Sequence, residues 1–132
     1  EMGAFSKSSS TTSTTPAAAA ARYLFADEAG VVDVVLDDFE NAPISPKMKA
    51  LLCIAAAVQT DARTVSDTLV ADARTHGAGD RDLHDTVLIA ATFCLFNRYV
   101  DGLATVTPPA EATEIWAGMG ERLGQNGYFL QR

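Results

Sequence analysis

From Pro16 onward, apolar positions recur at helical spacing, and no segment alternates long enough to read as a strong strand. Pro16 opens the run Ala17 to Ala21, and proline is well placed at a first helical position. Arg22-Tyr23-Leu24-Phe25 continues that helix. Val31 to Phe39 is rich in β-branched residues, which leaves a strand open. Val32, Val35, Leu36 and Phe39 share one helical face, and that favours helix. Asn41-Ala42-Pro43 breaks the chain. Ser45-Pro46 then gives an N-cap followed by proline, which predicts a helix from Pro46 to about Gln59. Leu51, Leu52, Ile54, Ala55 and Val58 form its buried face. Asp61 to Val65 reads as a linker. Ser66 or Thr64 caps a helix over Asp67 to His76, and Gly77 stops it.

The next helix, Asp80 to about Asp101, dominates the pattern. Asp80 is its expected cap and Gly102 its expected end. Leu83, Val87, Ala90, Ala91 and Cys94 lie on one stripe, and Leu88, Ile89, Phe93 and Phe96 cover much of the rest. A helix apolar nearly all round is either central in a core or shared with another subunit. Its last turn, Asn97-Arg98-Tyr99-Val100-Asp101, is polar by contrast. Arg98 and Asp101 stand at i, i+3 and can pair, either as a packing network or as part of a site. A final helix is expected from Ala110 to Asn126, with Ile115, Trp116, Met119 and Leu123 inward. The class is therefore all-α, in one domain spanning residues 1–132, with no internal repeat.

The formal net charge of −7 disfavours contact with nucleic-acid phosphates and with anionic membrane surfaces. No stretch reaches the roughly 18 apolar residues that cross a bilayer. The start, Glu1-Met2-Gly3-Ala4-Phe5, lacks a signal-peptide pattern, so a cytoplasmic protein is expected. Cys53 and Cys94 sit in apolar helical contexts and read as small buried hydrophobes. His76 and His84 are eight positions apart across a Gly-Ala-Gly break, which is not zinc-helix spacing. No nucleophile elbow and no phosphate-binding glycine loop is present. Neither a metal nor a cofactor is expected.

The run Val87 to Leu103, ending Phe96-Asn97-Arg98-Tyr99-Val100-Asp101-Gly102-Leu103, resembles the alkylhydroperoxidase-D-like (AhpD-like), or carboxymuconolactone decarboxylase-like, superfamily. It is most similar to the peroxidase-related branch, where a Phe-Asn-Arg-x-x-Asp-Gly-Leu ending recurs. Val35 to Phe39, Ala42 to Pro46, Ala50-Leu51-Leu52 and Val58 to Asp61 resemble upstream pieces of that branch in order. The resemblance covers roughly Arg22 to Gly102. It implies a helical bundle in homo-oligomers, often trimers or hexamers. It also implies a Cys-x-x-Cys pair, in which one thiolate attacks a hydroperoxide and the second resolves it, with a Glu/His proton relay.

Aligned backward from Ala20-Ala21-Arg22-Tyr23, the motif falls in residues 1–21, a segment that includes the Ser/Thr-rich run Ser6 to Thr15. Glu1 takes the Glu position, Ser13 the first Cys, Pro16 the second Cys and Ala20 the His. Neither cysteine nor the histidine is retained, and a serine hydroxyl has no accessible redox couple. Three readings follow. The chain is a family member without dithiol activity, in a non-catalytic or assembly role. Alternatively it is a thiol-independent enzyme of the decarboxylase type. Its catalytic candidates are then Glu1, Ser13, Tyr23, Arg98 and Asp101, with Arg98 holding the carboxylate of a small acidic ligand. The third reading is a single-cysteine redox protein using Cys94.

Overall fold

The computed structural model describes residues 16–127, and every regular element in them is helical. The order is α1 (Pro16–Leu24), a 3-10 turn (Ala26–Glu28), α2 (Ala29–Asp38), α3 (Pro46–Asp61), a second 3-10 turn (Ala62–Thr64), α4 (Asp67–Thr75), α5 (Asp80–Gly102) and α6 (Thr113–Asn126). The chain folds as two compact units. One comprises Glu1–Ala42 with Thr107–Arg132, and the other is Pro43–Val106.

The first unit is organised by α1 against α6. Ala18 and Ala19 on α1 and Trp116 and Gly120 on α6 are buried. Small residues let the two backbones approach. A side chain at Gly120 would lie 2.5 Å from the Ala19 carbonyl, and one at Gly124 would fall on the ring of Tyr23. Contacts therefore step by four on both helices in the same direction, so α1 and α6 run parallel. Gln125 Nε2 donates to Tyr23 Oη at 3.1 Å and closes this contact at its C-terminal end. Trp116 Nε1 donates to the Pro109 carbonyl at 2.9 Å, which satisfies the buried indole and ties down the segment entering α6. Ile115 was expected inward but is exposed, while Met119 and Leu123 are half-buried. Arg22 fastens α1 to α2 through Asp33, with Nε at 2.8 Å and Nη2 at 2.6 Å from Oδ1.

The second unit packs α3 against α4 and α5. Its buried cluster is Ala50, Leu51, Ile54, Ala73 and Ala78, flanked by Val65, Leu69 and Leu83. Ile54 is the large side chain at its centre, 1 % exposed. The local signals behave as their chemistry requires. Ser45 Oγ accepts from Met48 N–H at 3.1 Å with Pro46 following. Ser66, and not Thr64, caps α4 by accepting from Leu69 N–H. Gly77, at φ 88°, ends α4, and Ala78 N–H reaches back to the Ala73 carbonyl.

The start of α5 differs from the sequence reading. Asp80 is not the cap. Gly79 takes that place, and Asp82 accepts from the Gly79 N–H at 2.9 Å while Asp80 pairs with Arg74. The helix runs through Gly102, and the left-handed residue that closes it is Ala104, at φ 48°. Thr105 N–H bonds the Val100 carbonyl and Ala104 N–H that of Asp101, the same closing pattern that Gly77 serves on α4.

Burial of α5 is the larger correction. The sequence left it central in a core or shared, yet no residue of α5 is buried. Leu88, Ile89, Leu95, Phe96, Tyr99 and Leu103 are all about half exposed or more. The face toward α3 carries the smaller residues Thr86, Ala90 and Cys94, each half-buried.

Candidate functional site

The polar end of α5 is set by helical spacing. Arg98 and Asp101 are one turn apart and exposed. They do not form the i, i+3 ion pair their spacing permits. Among the described residues, neither side chain has a hydrogen-bond or salt-bridge partner. Spacing brings their Cβ atoms within reach, but a long exposed side chain gains little from such a pair after losing its rotamer freedom. Tyr23 lies in the first unit, at the end of α1, with its hydroxyl accepting from Gln125. Arg98 and Asp101 belong to the second unit. Glu1 and Ser13, and with them most of the aligned motif and the Ser6 to Thr15 run, lie outside the described residues.

The two thiols are on different helices, Cys53 on α3 and Cys94 on α5. Neither is in a disulfide, and both are half-buried rather than buried. His76 follows α4 with Nδ1 2.9 Å from the Asp72 carbonyl and 3.6 Å from the Asp72 carboxylate. His84 stands 3.2 Å from Asp85 Oδ1. Among the described residues, no group of three or more His, Cys, Asp or Glu side chains converges in a way that could hold a metal ion. No helix there is long and apolar enough to cross a membrane.

Two features of the second unit were not visible in the sequence. One is the join between the starts of α3 and α5. Lys47 Nζ sits 2.6 Å from Asp82 Oδ2, the same oxygen that accepts from Gly79 N–H. The Lys47 ammonium, and after it the Gly79 N–H, hold the Asp82 carboxyl below its ordinary 3.8. Asp61 is lowered in the same way by the Arg63 side chain and N–H. Lys47 lies in the first turn of α3 and Asp82 in the first turn of α5, and their meeting depends on the packing of α3 on α5. The second feature is an open apolar groove along α5, lined by Leu83, His84, Val87, Leu88 and Ala91. Its lining is apolar apart from the imidazole, and it has no convergent set of polar groups of the kind that orients a reacting substrate.

The arrangement thus offers an unpaired cation and an unpaired carboxylate at the end of an apolar helix, with the two cysteines on separate helices. No family model, no curated protein and no solved structure matches this chain in the comparisons made.

Proposed function

We propose that the chain is an AhpD-like protein that does not act as a dithiol peroxidase and serves a non-catalytic or assembly role within a homo-oligomer. The observation that carries the first part is the thiol inventory. Cys53 and Cys94 are the two cysteines of the sequence, 41 positions apart and on separate helices, so this chain holds no Cys-x-x-Cys pair. A resolving thiol must reach the sulfenic acid formed by the first, and that requires neighbours. The family part rests on the resemblance of the Phe96 to Leu103 ending and the ordered pieces before it. The test is hydroperoxide consumption with dithiothreitol as reductant. The expected result is a rate equal to that of buffer with reductant. Turnover that disappears in Cys53→Ser or Cys94→Ser refutes the reading.

A second reading has one observation in its favour. Arg98 is exposed and has no partner among the described residues, so its guanidinium is available to a carboxylate. A thiol-independent enzyme acting on a small carboxylic acid or lactone would use it to hold the substrate. A thermal-shift screen of small carboxylic acids tests this. Stabilisation that Arg98→Gln removes supports the enzyme, and no shift with any acid removes it.

A further inference from the structure

The apolar groove on α5 and the unpaired guanidinium near the end of that helix share one side of it. His84, Ala91 and Arg98 follow one another at seven-residue intervals, two helical turns each, so Arg98 stands on the line along which the groove runs. Side chains of a helix incline toward its N-terminus and cover the preceding turn. Arg98 therefore leans back over Cys94 and Leu95, toward Ala91 at the end of the groove. The groove offers about 480 Å³, the size of a small-molecule site, and is lined by Leu83, Val87, Leu88 and Ala91 with His84 as its polar side chain.

We propose that the groove and Arg98 together bind a free medium-chain fatty acid, with the alkyl chain along Leu83, Val87, Leu88 and Ala91 and the carboxylate on the Arg98 guanidinium. The two parts call for different halves of one molecule. Hydroxyls, amides and phosphates lose water against an apolar lining without gaining a hydrogen bond, whereas an alkyl chain gains from it. A guanidinium matches the two oxygens of a carboxylate, and this one has no partner among the described residues to displace.

Charge fixes the direction. At the other end of the groove His84 is already 3.2 Å from Asp85 Oδ1, so a ligand carboxylate placed there meets another carboxylate, and the methyl end takes that position. The chain's net charge does not oppose an anion here. The unit that holds the groove, Pro43–Val106, is close to neutral, with six Lys and Arg against seven Asp. Length follows from helix rise. Leu83 and Cys94, the level to which Arg98 leans, are about 16 Å apart along the axis, roughly the extended length of a twelve-carbon acid. The inference rests on the same free Arg98 that the enzyme reading uses, but it asks for binding and not for turnover.

Isothermal titration of the full chain with dodecanoate, below its micelle concentration, is the test. Saturable binding is expected, and octanoate should bind about tenfold more weakly or worse, because each buried methylene is worth about fourfold in affinity and an open groove buries about half of each. Dodecyltrimethylammonium, a chain of the same length with the opposite charge, should bind less tightly than dodecanoate, and Arg98→Glu should reverse that order. Ala91→Glu, at an exposed position on the groove, should weaken dodecanoate by about tenfold or more. Circular dichroism checks that both variants keep their helix content. No binding, binding indifferent to Arg98→Glu or to Ala91→Glu, or uptake only into phosphatidylcholine vesicles overturns the proposal. Small acids that raise the melting temperature through Arg98, while octanoate and dodecanoate bind alike, keep the enzyme reading and overturn the fatty-acid site. Dodecanoate binding through Arg98 with no response to small acids supports the site and removes the enzyme alone.

Discussion

Gly120 offers the sharpest test of how the first unit is held together. A Cβ added there would lie 2.5 Å from both the carbonyl carbon and oxygen of Ala19 and 2.9 Å from its Cβ. Those are mostly backbone atoms, so no rotamer change relieves the clash, and α1 must retreat by about 1 Å from α6. Overpacking of this kind costs about 1–3 kcal/mol. The same substitution gains up to about 1 kcal/mol of helix propensity. Gly118 separates the two terms. It lies on the same helix, and a Cβ there meets nothing within 4 Å. Gly118→Ala should therefore stabilise by up to ~1 kcal/mol. Gly120→Ala should fall below Gly118→Ala by the steric cost alone, about 1–3 kcal/mol. Trp116 is the only tryptophan and is buried in this unit, so its fluorescence during urea unfolding reports the unit directly. If Gly120→Ala unfolds at or above the midpoint of Gly118→Ala, the close approach of α1 and α6 is refuted.

Three further outcomes follow from the second unit. Ala104→Gly should stabilise it by about 0.5–1 kcal/mol in thermal or urea unfolding, because a left-handed residue with a Cβ is replaced by one without. Ile54→Ala, at the centre of the buried cluster, should cost about 2–5 kcal/mol by the same measurement. For Asp82 the sign runs with its lowered pKa. The stability it contributes is present above 3.8, its ordinary value, and is lost as pH falls through the lower native value. Asp82→Asn should therefore lower the melting temperature at pH 7 and leave it unchanged at about pH 2, and an equal loss at both would exclude the Lys47 and Gly79 contacts as the cause.

What the sequence made legible was local. Ser45-Pro46, Ser66 and Gly77 each act on backbone groups within a few residues, and each appears where its chemistry placed it. The start of α6 was less clear. The expected start was Ala110, but Ala112 N–H turns back onto the Pro109 carbonyl and the helix begins at Thr113. α5 does end at Gly102, although the left-handed position falls two residues later, on Ala104. The exposure of α5 was not legible at all. Periodicity states that a surface is apolar and not what covers it. The candidate site suffered in the same way: the spacing of Arg98 and Asp101 permits an ion pair without requiring one, and Lys47 meets Asp82 only through the packing of two helices.

The pairing of α1 with α6 also has a consequence in time. These are the first and last of the described helices, and about ninety residues separate Leu24 from Thr113. At ribosomal rates of about 5–20 residues per second, α1 is made roughly 4–18 s before its partner exists. A nine-residue helix is too short to persist in water unaided, even when rich in alanine. During those seconds, α3, α4 and α5 emerge and can complete their own cluster around Ile54. The alanine run must wait as an unstructured chain while the other unit folds, and a product that ends between Val106 and Thr113 has one unit complete and the other unable to begin.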